Sequence, residues 1–209
     1  MDYKNLYLRL VTSLLLILIF FSIIFFFNNY LSIALIVIYI VIFIEIIFYF
    51  NKHHFNLCLL ILYLLISFIC AEFYVLYFFN IEIFIFFILL IIFFDTFSYL
   101  LGSFFGKKKI FPNISPNKTY EGLILGFVST MIFAIIYNYL YFLFNFIYLL
   151  IFSFFIIISS FLGDIVESYY KRFAKIKNSS NLLPGHGGIF DRLDGFILAI
   201  MTLLFFHLL

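Results

Sequence analysis

Residues 31–50 read LSIALIVIYIVIFIEIIFYF, a run of twenty residues in which Glu45 is the one charged side chain. An α-helix rises about 1.5 Å per residue, so a run of this length spans the roughly 30 Å hydrocarbon core of a bilayer. Further apolar runs of similar length lie at about residues 7–27, 57–79, 81–101, 119–138, 141–164 and 191–209. Together these runs predict about seven membrane-spanning helices.

The overall composition agrees with a membrane protein. Of the 209 residues, 67% are hydrophobic and 11% are charged, and the mean hydropathy is +1.26. A soluble domain of this size could not expose so much apolar surface to water. The predicted fold class is therefore all-α, a polytopic integral membrane protein. Cys58 and Cys70 fall within one predicted span, so neither metal-ligand spacing nor an oxidising compartment is indicated.

The basic residues predict the orientation, because Lys and Arg collect in cytoplasmic loops. If the N-terminus is cytoplasmic, all 12 basic residues fall in cytoplasmic segments and the opposing loops contain none. These residues are Lys4, Arg9, Lys52, Lys107, Lys108, Lys109, Lys118, Lys171, Arg172, Lys175, Lys177 and Arg192. We therefore expect a cytoplasmic N-terminus, since a miscounted helix would break this alternation.

Most acidic residues fall near the cytoplasmic ends of the predicted helices. They are Glu45, Asp95, Glu121, Asp164, Glu167, Asp191 and Asp194. Carboxylates are costly at membrane depth, so their common level indicates one shared polar cavity. Glu72 and Glu82 lie nearer the outer side, and we expect them to be helix-packing or interfacial residues.

Glycine and proline divide the chain into two parts. All nine glycines and all three prolines lie at or after Gly102. We expect residues 1–94 to be plain spanning helices that anchor the protein and line a lipid cleft. Residues 95–209 then have the turns needed for close approach to a ligand, with cytoplasmic loops at 102–122 and 168–188, within a single membrane domain. The glycine spacing in GLILG (residues 122–126) is typical of a helix-packing face.

Two segments near the C-terminus place charged residues at helical spacing. In GDIVESYYKR (residues 163–172), a helix would align four polar side chains on one face: Asp164, Glu167, Ser168 and Lys171. The last span reaches 19 residues if it begins at Asp191, which is about the length needed to cross the bilayer. Asp191 and Asp194 should then lie near the hydrocarbon boundary, where Mg²⁺ would supply a counter-charge.

The two loops also carry features of phosphate binding. SPNKT (residues 115–119) enters a predicted helix, where Ser115, Thr119 and free backbone amides could hold a phosphate beside Lys118. In PGHGG (residues 184–188), a stiff turn precedes glycines that let phosphate oxygens approach the backbone. The residues expected to neutralise phosphates are Lys118, Lys171, Arg172 and Arg192. Metal-assisted phosphoryl chemistry at a membrane interface is therefore predicted.

The stretch ESYYKRFAKIKNSSNLLPGHGGIFDRLDG (residues 167–195) resembles the signature of the phosphatidate cytidylyltransferase, or CDP-diacylglycerol synthase, family. Its matching residues are Ser168, Lys171, Arg172, Lys177, His186, Gly187, Gly188, Asp191, Arg192 and Asp194. Upstream, DTFSYLLGSFFGK and SPNKTYEG match at Asp95, Tyr99, Gly102, Gly106, Ser115, Pro116, Lys118, Thr119 and Gly122. Asn178 departs from the pattern, which has Asp at that position, and Tyr170 replaces an aliphatic residue or Phe.

The resemblance implies an enzyme that transfers CMP from CTP to phosphatidic acid, giving CDP-diacylglycerol and pyrophosphate. For that reaction we expect Asp164 and Asp191 to hold Mg²⁺, with a second, monovalent cation as an option. The expected catalytic residues are Asp164, Lys171, Arg172, Asp191, Arg192 and Asp194. The expected substrate-binding residues are Asp95, Ser115, Lys118, Thr119, Glu167, Ser168, Lys177, His186, Gly187 and Gly188.

The expected partners follow from the same resemblance. They are CTP, phosphatidic acid and membrane lipids, without nucleic acid, and a homodimer is an option. The expected location is the bacterial cytoplasmic (inner) membrane, crossed several times, with the active site on the cytoplasmic side.

Three alternatives remain open at this point. A related CTP-dependent polyprenol or phytol kinase would share the membrane helices and a nucleotide site, and its product would differ. A cation transporter would use intramembrane acids along a path with two exits. A non-catalytic relic is suggested by Asn178, which contributes no charge to a metal.

Overall fold

The computed structural model describes residues 22, 30–50, 54–176, 178–180, 182 and 187–208. Helices α1 to α6 in this part of the chain are Leu31–Tyr49, His54–Tyr77, Ile81–Phe105, Tyr120–Tyr141, Phe146–Phe173 and Phe190–Leu208. Strands β1 (Lys109–Phe111) and β2 (Ser115–Thr119) form a short antiparallel hairpin between α3 and α4. The predicted all-α fold class is therefore confirmed, with this hairpin as a small addition.

Five helices within the described residues are long and apolar enough to cross a membrane. They are α1, the Asn56–Tyr77 part of α2, α3, α4 and α5. This finding confirms a polytopic membrane protein. Helix α6 also occurs where the last span was predicted, but its first two turns carry Asp191, Arg192 and Asp194. The predicted span at 7–27 lies almost wholly outside the described residues, so the count of seven and the orientation stay predictions.

Helix α5 begins later than predicted, at Phe146 instead of residue 141, because a side chain closes the preceding turn. The Asn138 amide donates to the Phe144 carbonyl at 2.9 Å, and its oxygen accepts from the Phe144 N–H at 2.8 Å. Phe142 has a φ of 53°, which ends α4. These hydrogen bonds satisfy backbone groups of the turn. The chain therefore leaves the helical conformation here, although this stretch is as apolar as the helices beside it.

Helix α5 also ends later than predicted, at Phe173 instead of residue 164. The N–H of Ile176 donates to the Lys171 carbonyl at 3.0 Å, and Lys175 adopts a φ of 58°. This arrangement is typical of helix C-termini, where basic residues such as Lys171 and Arg172 also favour the helix dipole. The first part of the loop predicted from residue 168 is therefore helical.

The described residues fall into two compact units. The first unit comprises the described residues of Met1–Phe78 together with Tyr170–Leu193. In it, α1 packs on α2 through a buried core, and the hydroxyl groups of Tyr39 and Ser67 share a hydrogen bond of 2.6 Å. This unit contains the glycine-rich segment that precedes α6.

The second unit comprises the described residues of Phe79–Tyr169 and Asp194–Leu209. Within it, α3 and α4 meet at backbone distance, since a Cβ built on Gly126 would lie 2.7 Å from the Ser98 Cα. The packing role predicted for residues 122–126 is thereby confirmed. The sequence-based division into 1–94 and 95–209 rests on glycine and proline content and stays a prediction.

Candidate functional site

Three carboxylates of the second unit come together and are called here the carboxylate cluster: Asp164, Glu167 and Asp194. Each offers one oxygen, and the three oxygens lie within 4.8 Å of one another. Asp164 and Glu167 are one turn apart on α5, and Asp194 comes from α6. The helical spacing predicted for GDIVESYYKR is therefore confirmed, and it brings two of these carboxylates to one face.

Two glycines lie where Asp194 approaches α5 closely. A Cβ built on Gly163 would collide with the backbone carbonyl oxygen of Asp194. A Cβ on Gly195 would lie 2.5 Å from the Ser160 hydroxyl oxygen. The Asp194 carboxylate also accepts the N–H of Gly195 at 2.8 Å. The cluster thus depends on Gly163 at the point where α5 and α6 cross, because a backbone oxygen cannot move aside as a hydroxyl can, a feature that we did not assign from the sequence.

Lys118 is the cationic partner of the carboxylate cluster within the second unit. Its ammonium group forms an ion pair with Asp164 and lies 4.6 Å from the centre of the Phe161 ring. The hydroxyl of Ser168 donates to the other Asp164 oxygen at 3.3 Å. Asp95 interacts electrostatically with both Asp164 and Lys118. Among the described residues of the second unit, four carboxylates lie near this one lysine, so negative charge is in surplus there, which suits a divalent cation.

The remaining predicted residues near Lys118 have structural partners. Ser115 begins β2, and Thr119 caps α4, its hydroxyl oxygen accepting the N–H of Gly122 at 3.1 Å. The Glu121 carboxylate accepts the backbone N–H groups of Lys107 and Lys108 at 3.0 and 3.2 Å. The basic segment before β1 is thereby tied to the start of α4. Phosphate binding by Ser115 and Thr119 stays a prediction.

In the first unit, Asp191 organises the segment that leads into α6. One of its oxygens accepts from the Lys171 ammonium group at 2.9 Å. The other accepts the backbone N–H groups of Ser179 and Gly188, each at 2.9 Å. Gly187 has a φ of 87°, and a Cβ there would lie 2.5 Å from the Asp191 carboxylate. Residues 187–189, called here the glycine loop, are therefore shaped around this carboxylate.

The structure also gives specific partners to a carboxylate that the sequence only grouped with the other acidic residues of a shared cavity. Glu45 on α1 is 1% exposed, and it accepts four hydrogen bonds from residues 179–190. The signal available in the sequence was its position, since it is the one charge in a span of twenty residues. A buried carboxylate in such a span requires donors, but the sequence does not identify them.

The predicted site residues are divided between the two compact units. The second unit holds Asp95, Ser115, Lys118, Thr119, Asp164, Glu167, Ser168 and Asp194, and the first holds Lys171, Arg172, Gly187, Gly188, Asp191 and Arg192. Arg172 and Arg192 are exposed. Lys177 and His186 lie outside the described residues. Metal binding by the pair Asp164 and Asp191 stays a prediction.

Comparison with known proteins gives a consistent result. Residues 49–209 match the cytidylyltransferase family. A phosphatidate cytidylyltransferase of Bacillus subtilis is 39% identical over 122 residues, which cover 54% of this chain and 42% of that protein. One from Staphylococcus aureus (strain COL) is 40% identical over 118 residues, or 55% of this chain and 45% of that protein. One from Haemophilus influenzae is 35% identical over 118 residues, or 54% of this chain and 41% of that protein. The chain thus matches less than half the length of these relatives.

Proposed function

The chain belongs to the cytidylyltransferase family, and we propose that it transfers CMP from CTP to phosphatidic acid, giving CDP-diacylglycerol and pyrophosphate. The observation that carries this proposal is the carboxylate cluster paired with Lys118 in a chain of long apolar helices. A membrane enzyme that joins two phosphate compounds needs a charged site of this kind. The relatives' names supply the substrates.

The carboxylate cluster fits a magnesium ion. Three carboxylate oxygens within 4.8 Å of one another are the hard ligands that Mg²⁺ prefers, and the surplus of negative charge favours a divalent cation. When bound, the ion would neutralise charge on the nucleotide phosphates. We propose Asp164, Glu167 and Asp194 as the carboxylates that hold it. Asp191 stays a predicted ligand, one that already accepts hydrogen bonds from Lys171 and two backbone groups.

The reaction itself requires positioning and charge neutralisation. An oxygen of the lipid phosphate forms a bond to the α-phosphorus of CTP, while the bond from that phosphorus to the bridging oxygen breaks and pyrophosphate leaves with the electron pair. The attacking phosphomonoester is already mostly ionised near neutral pH, so little proton transfer is required. We assign phosphate neutralisation to Lys118, Lys171, Arg172 and Arg192.

The exposed apolar helices suit a lipid substrate, because such a substrate lies in the membrane. Large apolar side chains are exposed along α1 to α5, as a protein surrounded by acyl chains requires. We propose a multi-pass protein of a bacterial cytoplasmic membrane with its site on the cytoplasmic side, because all 12 basic residues fall on one side of the predicted topology. The proposal includes a homodimer, for which we assign no interface.

The test measures which labelled phosphate of CTP is transferred to lipid. Purified protein in detergent receives phosphatidic acid, Mg²⁺ and CTP labelled on either the α- or the γ-phosphate. Transfer of CMP places the α-label in the lipid extract, whereas a polyprenol or phytol kinase, given its own lipid, would place the γ-label there. We expect α-label in CDP-diacylglycerol, and removal of Mg²⁺ by chelation should stop its formation. Absence of α-labelled lipid with folded protein would refute the proposal.

A pair of matched variants connects the activity to the cluster. Asp164→Asn removes one of its charges, and we expect the rate of label transfer to fall about a hundredfold or more. Glu82→Gln makes the same kind of change at an exposed residue in the first turn of α3, and its activity should equal that of the wild type. Ion flux in reconstituted vesicles without CTP would instead support the transporter alternative.

A further inference from the structure

The carboxylate of Glu45 holds the start of α6 through four hydrogen bonds. Its Oε1 accepts from the Ser180 hydroxyl at 2.7 Å and from the Ile189 N–H at 2.9 Å. Its Oε2 accepts from the Ser179 hydroxyl at 3.2 Å and from the Phe190 N–H at 3.0 Å. Two serines that precede the glycine loop, and the N–H groups of the last loop residue and of Phe190, therefore meet at one buried side chain.

A carboxylate is the group required at this position. The first N–H groups of a helix have no partner within the helix, and their dipoles favour a negative charge. A carboxylate has two oxygens that only accept, and each here receives one hydroxyl and one backbone N–H. Such charge-assisted bonds offset the cost of burying Glu45, which is 1% exposed.

The glycine loop is shaped to admit this carboxylate. A Cβ built on Gly188 would lie 2.7 and 2.8 Å from the two Glu45 oxygens and would collide with the Ser179 hydroxyl. The N–H of Gly188 meanwhile donates to Asp191. The loop is thus held between two carboxylates, one from α1 and one from the first turn of α6, and only glycine fits between them.

We propose that Glu45 is a positioning residue that fixes the glycine loop and the first turn of α6, and thereby sets the CTP affinity of the site. It acts through Asp191 and Arg192, which immediately follow the two N–H groups that it accepts. Residue 45 precedes the stretch that matches the family, residues 49–209, so this role is assigned by the structure alone. The inference rests on the proposed function for its effect on CTP.

The decisive variant is Glu45→Gln, which keeps the shape of the side chain and replaces one of its two accepting oxygens by an NH₂ donor. Serine hydroxyls can rotate to accept from an amide, but backbone N–H groups cannot. In either amide orientation, the new NH₂ group faces the N–H of Ile189 or of Phe190. We expect the KM for CTP to rise about tenfold because one donor at the helix start loses its acceptor. The KM for phosphatidic acid should stay unchanged.

Glu72→Gln is the matched control in the same unit. Glu72 accepts a 2.6 Å hydrogen bond from the Ser32 hydroxyl, which can rotate and accept from an amide instead. Its kinetics should equal those of the wild type. A third variant, Ser179→Ala, removes one donor to Glu45 and leaves the carboxylate, so the KM for CTP should rise about two- to threefold. This variant decides the matter if Glu45→Gln does not fold.

Amide hydrogen exchange on the full chain supplies a readout that does not require activity. Exchange of residues 187–190 should be faster in Glu45→Gln than in the wild type or Glu72→Gln. A lower kcat with both KM values unchanged would indicate only a smaller folded fraction and would overturn the positioning role. Unchanged exchange at residues 187–190 would show that the hydrogen bonds to Glu45 do not hold this segment, and would overturn the proposal. If the wild type forms no α-labelled lipid, the proposed function fails, and the exchange experiment still tests Glu45.

Discussion

Replacement of Gly163 by Ala should separate the carboxylate cluster without removing any of its members. A Cβ on Gly163 meets the backbone carbonyl oxygen of Asp194 far inside the distance at which such atoms normally stop. That oxygen belongs to a helix backbone and cannot rotate away. To restore ordinary van der Waals spacing, α6 must retreat from α5 by roughly 1 Å at Asp194.

The expected losses in activity and in stability differ in size. A displacement of about 1 Å among catalytic groups can cost about a hundredfold in rate. Overpacking costs about 1–3 kcal/mol of stability, of which the better helix propensity of Ala returns about 1 kcal/mol. We therefore expect kcat/KM for CTP to fall about a hundredfold, while the Tm followed by circular dichroism changes by only a few degrees.

Gly195→Ala provides the control on the same pair of helices. Its new Cβ would meet the Ser160 hydroxyl at 2.5 Å, and a side-chain hydroxyl can change rotamer. We expect activity within about threefold of the wild type, and addition of Ser160→Ala should remove the remaining difference. Wild-type kcat/KM in Gly163→Ala would show that the close approach of Asp194 to α5 is not needed for turnover, and the assignment of the cluster would then be wrong.

Two further predictions concern the hairpin and the start of α4. Lys118→Met removes the ion pair with Asp164 while keeping the contact with the Phe161 ring, so the KM for CTP should rise about tenfold in the label-transfer assay, and Lys118→Arg should recover part of the loss. Thr119→Ala removes the cap of α4 and should cost about 1 kcal/mol of stability, seen as a lower Tm, whereas Thr119→Ser should retain it. Equal Tm values for Ala and Ser at position 119 would contradict the capping role.

The positions of the helices could be predicted from the sequence because apolar run length is set by membrane thickness. Their ends could not, since hydropathy does not register the hydrogen bonds that stop a helix. The turn between α4 and α5 depends on the side chain of Asn138, and α5 continues through charged residues to Phe173. Boundaries of this kind are set by local donors and acceptors, not by average polarity.

The site was partly predictable for a similar reason. The helical spacing of Asp164 and Glu167 can be read from the sequence, as can the conspicuous glycines before α6. The partners of Glu45 lie 134 to 145 residues later in the chain, and two of them are backbone N–H groups. The close contact between Gly163 and Asp194 likewise requires the packed helices, because a glycine alone does not reveal what lies beside it.

The two aspartates in the first two turns of α6 have different roles because their surroundings differ. Asp191 accepts bonds from a lysine and two backbone N–H groups, so donors within the protein already balance much of its charge. Asp194 lies with Asp164 and Glu167, where several carboxylates share the influence of one lysine within the second unit. Burial penalises such a surplus unless charge arrives from solution. The same helix therefore begins with one carboxylate suited to holding the loop and continues, one turn later, with another suited to holding a cation.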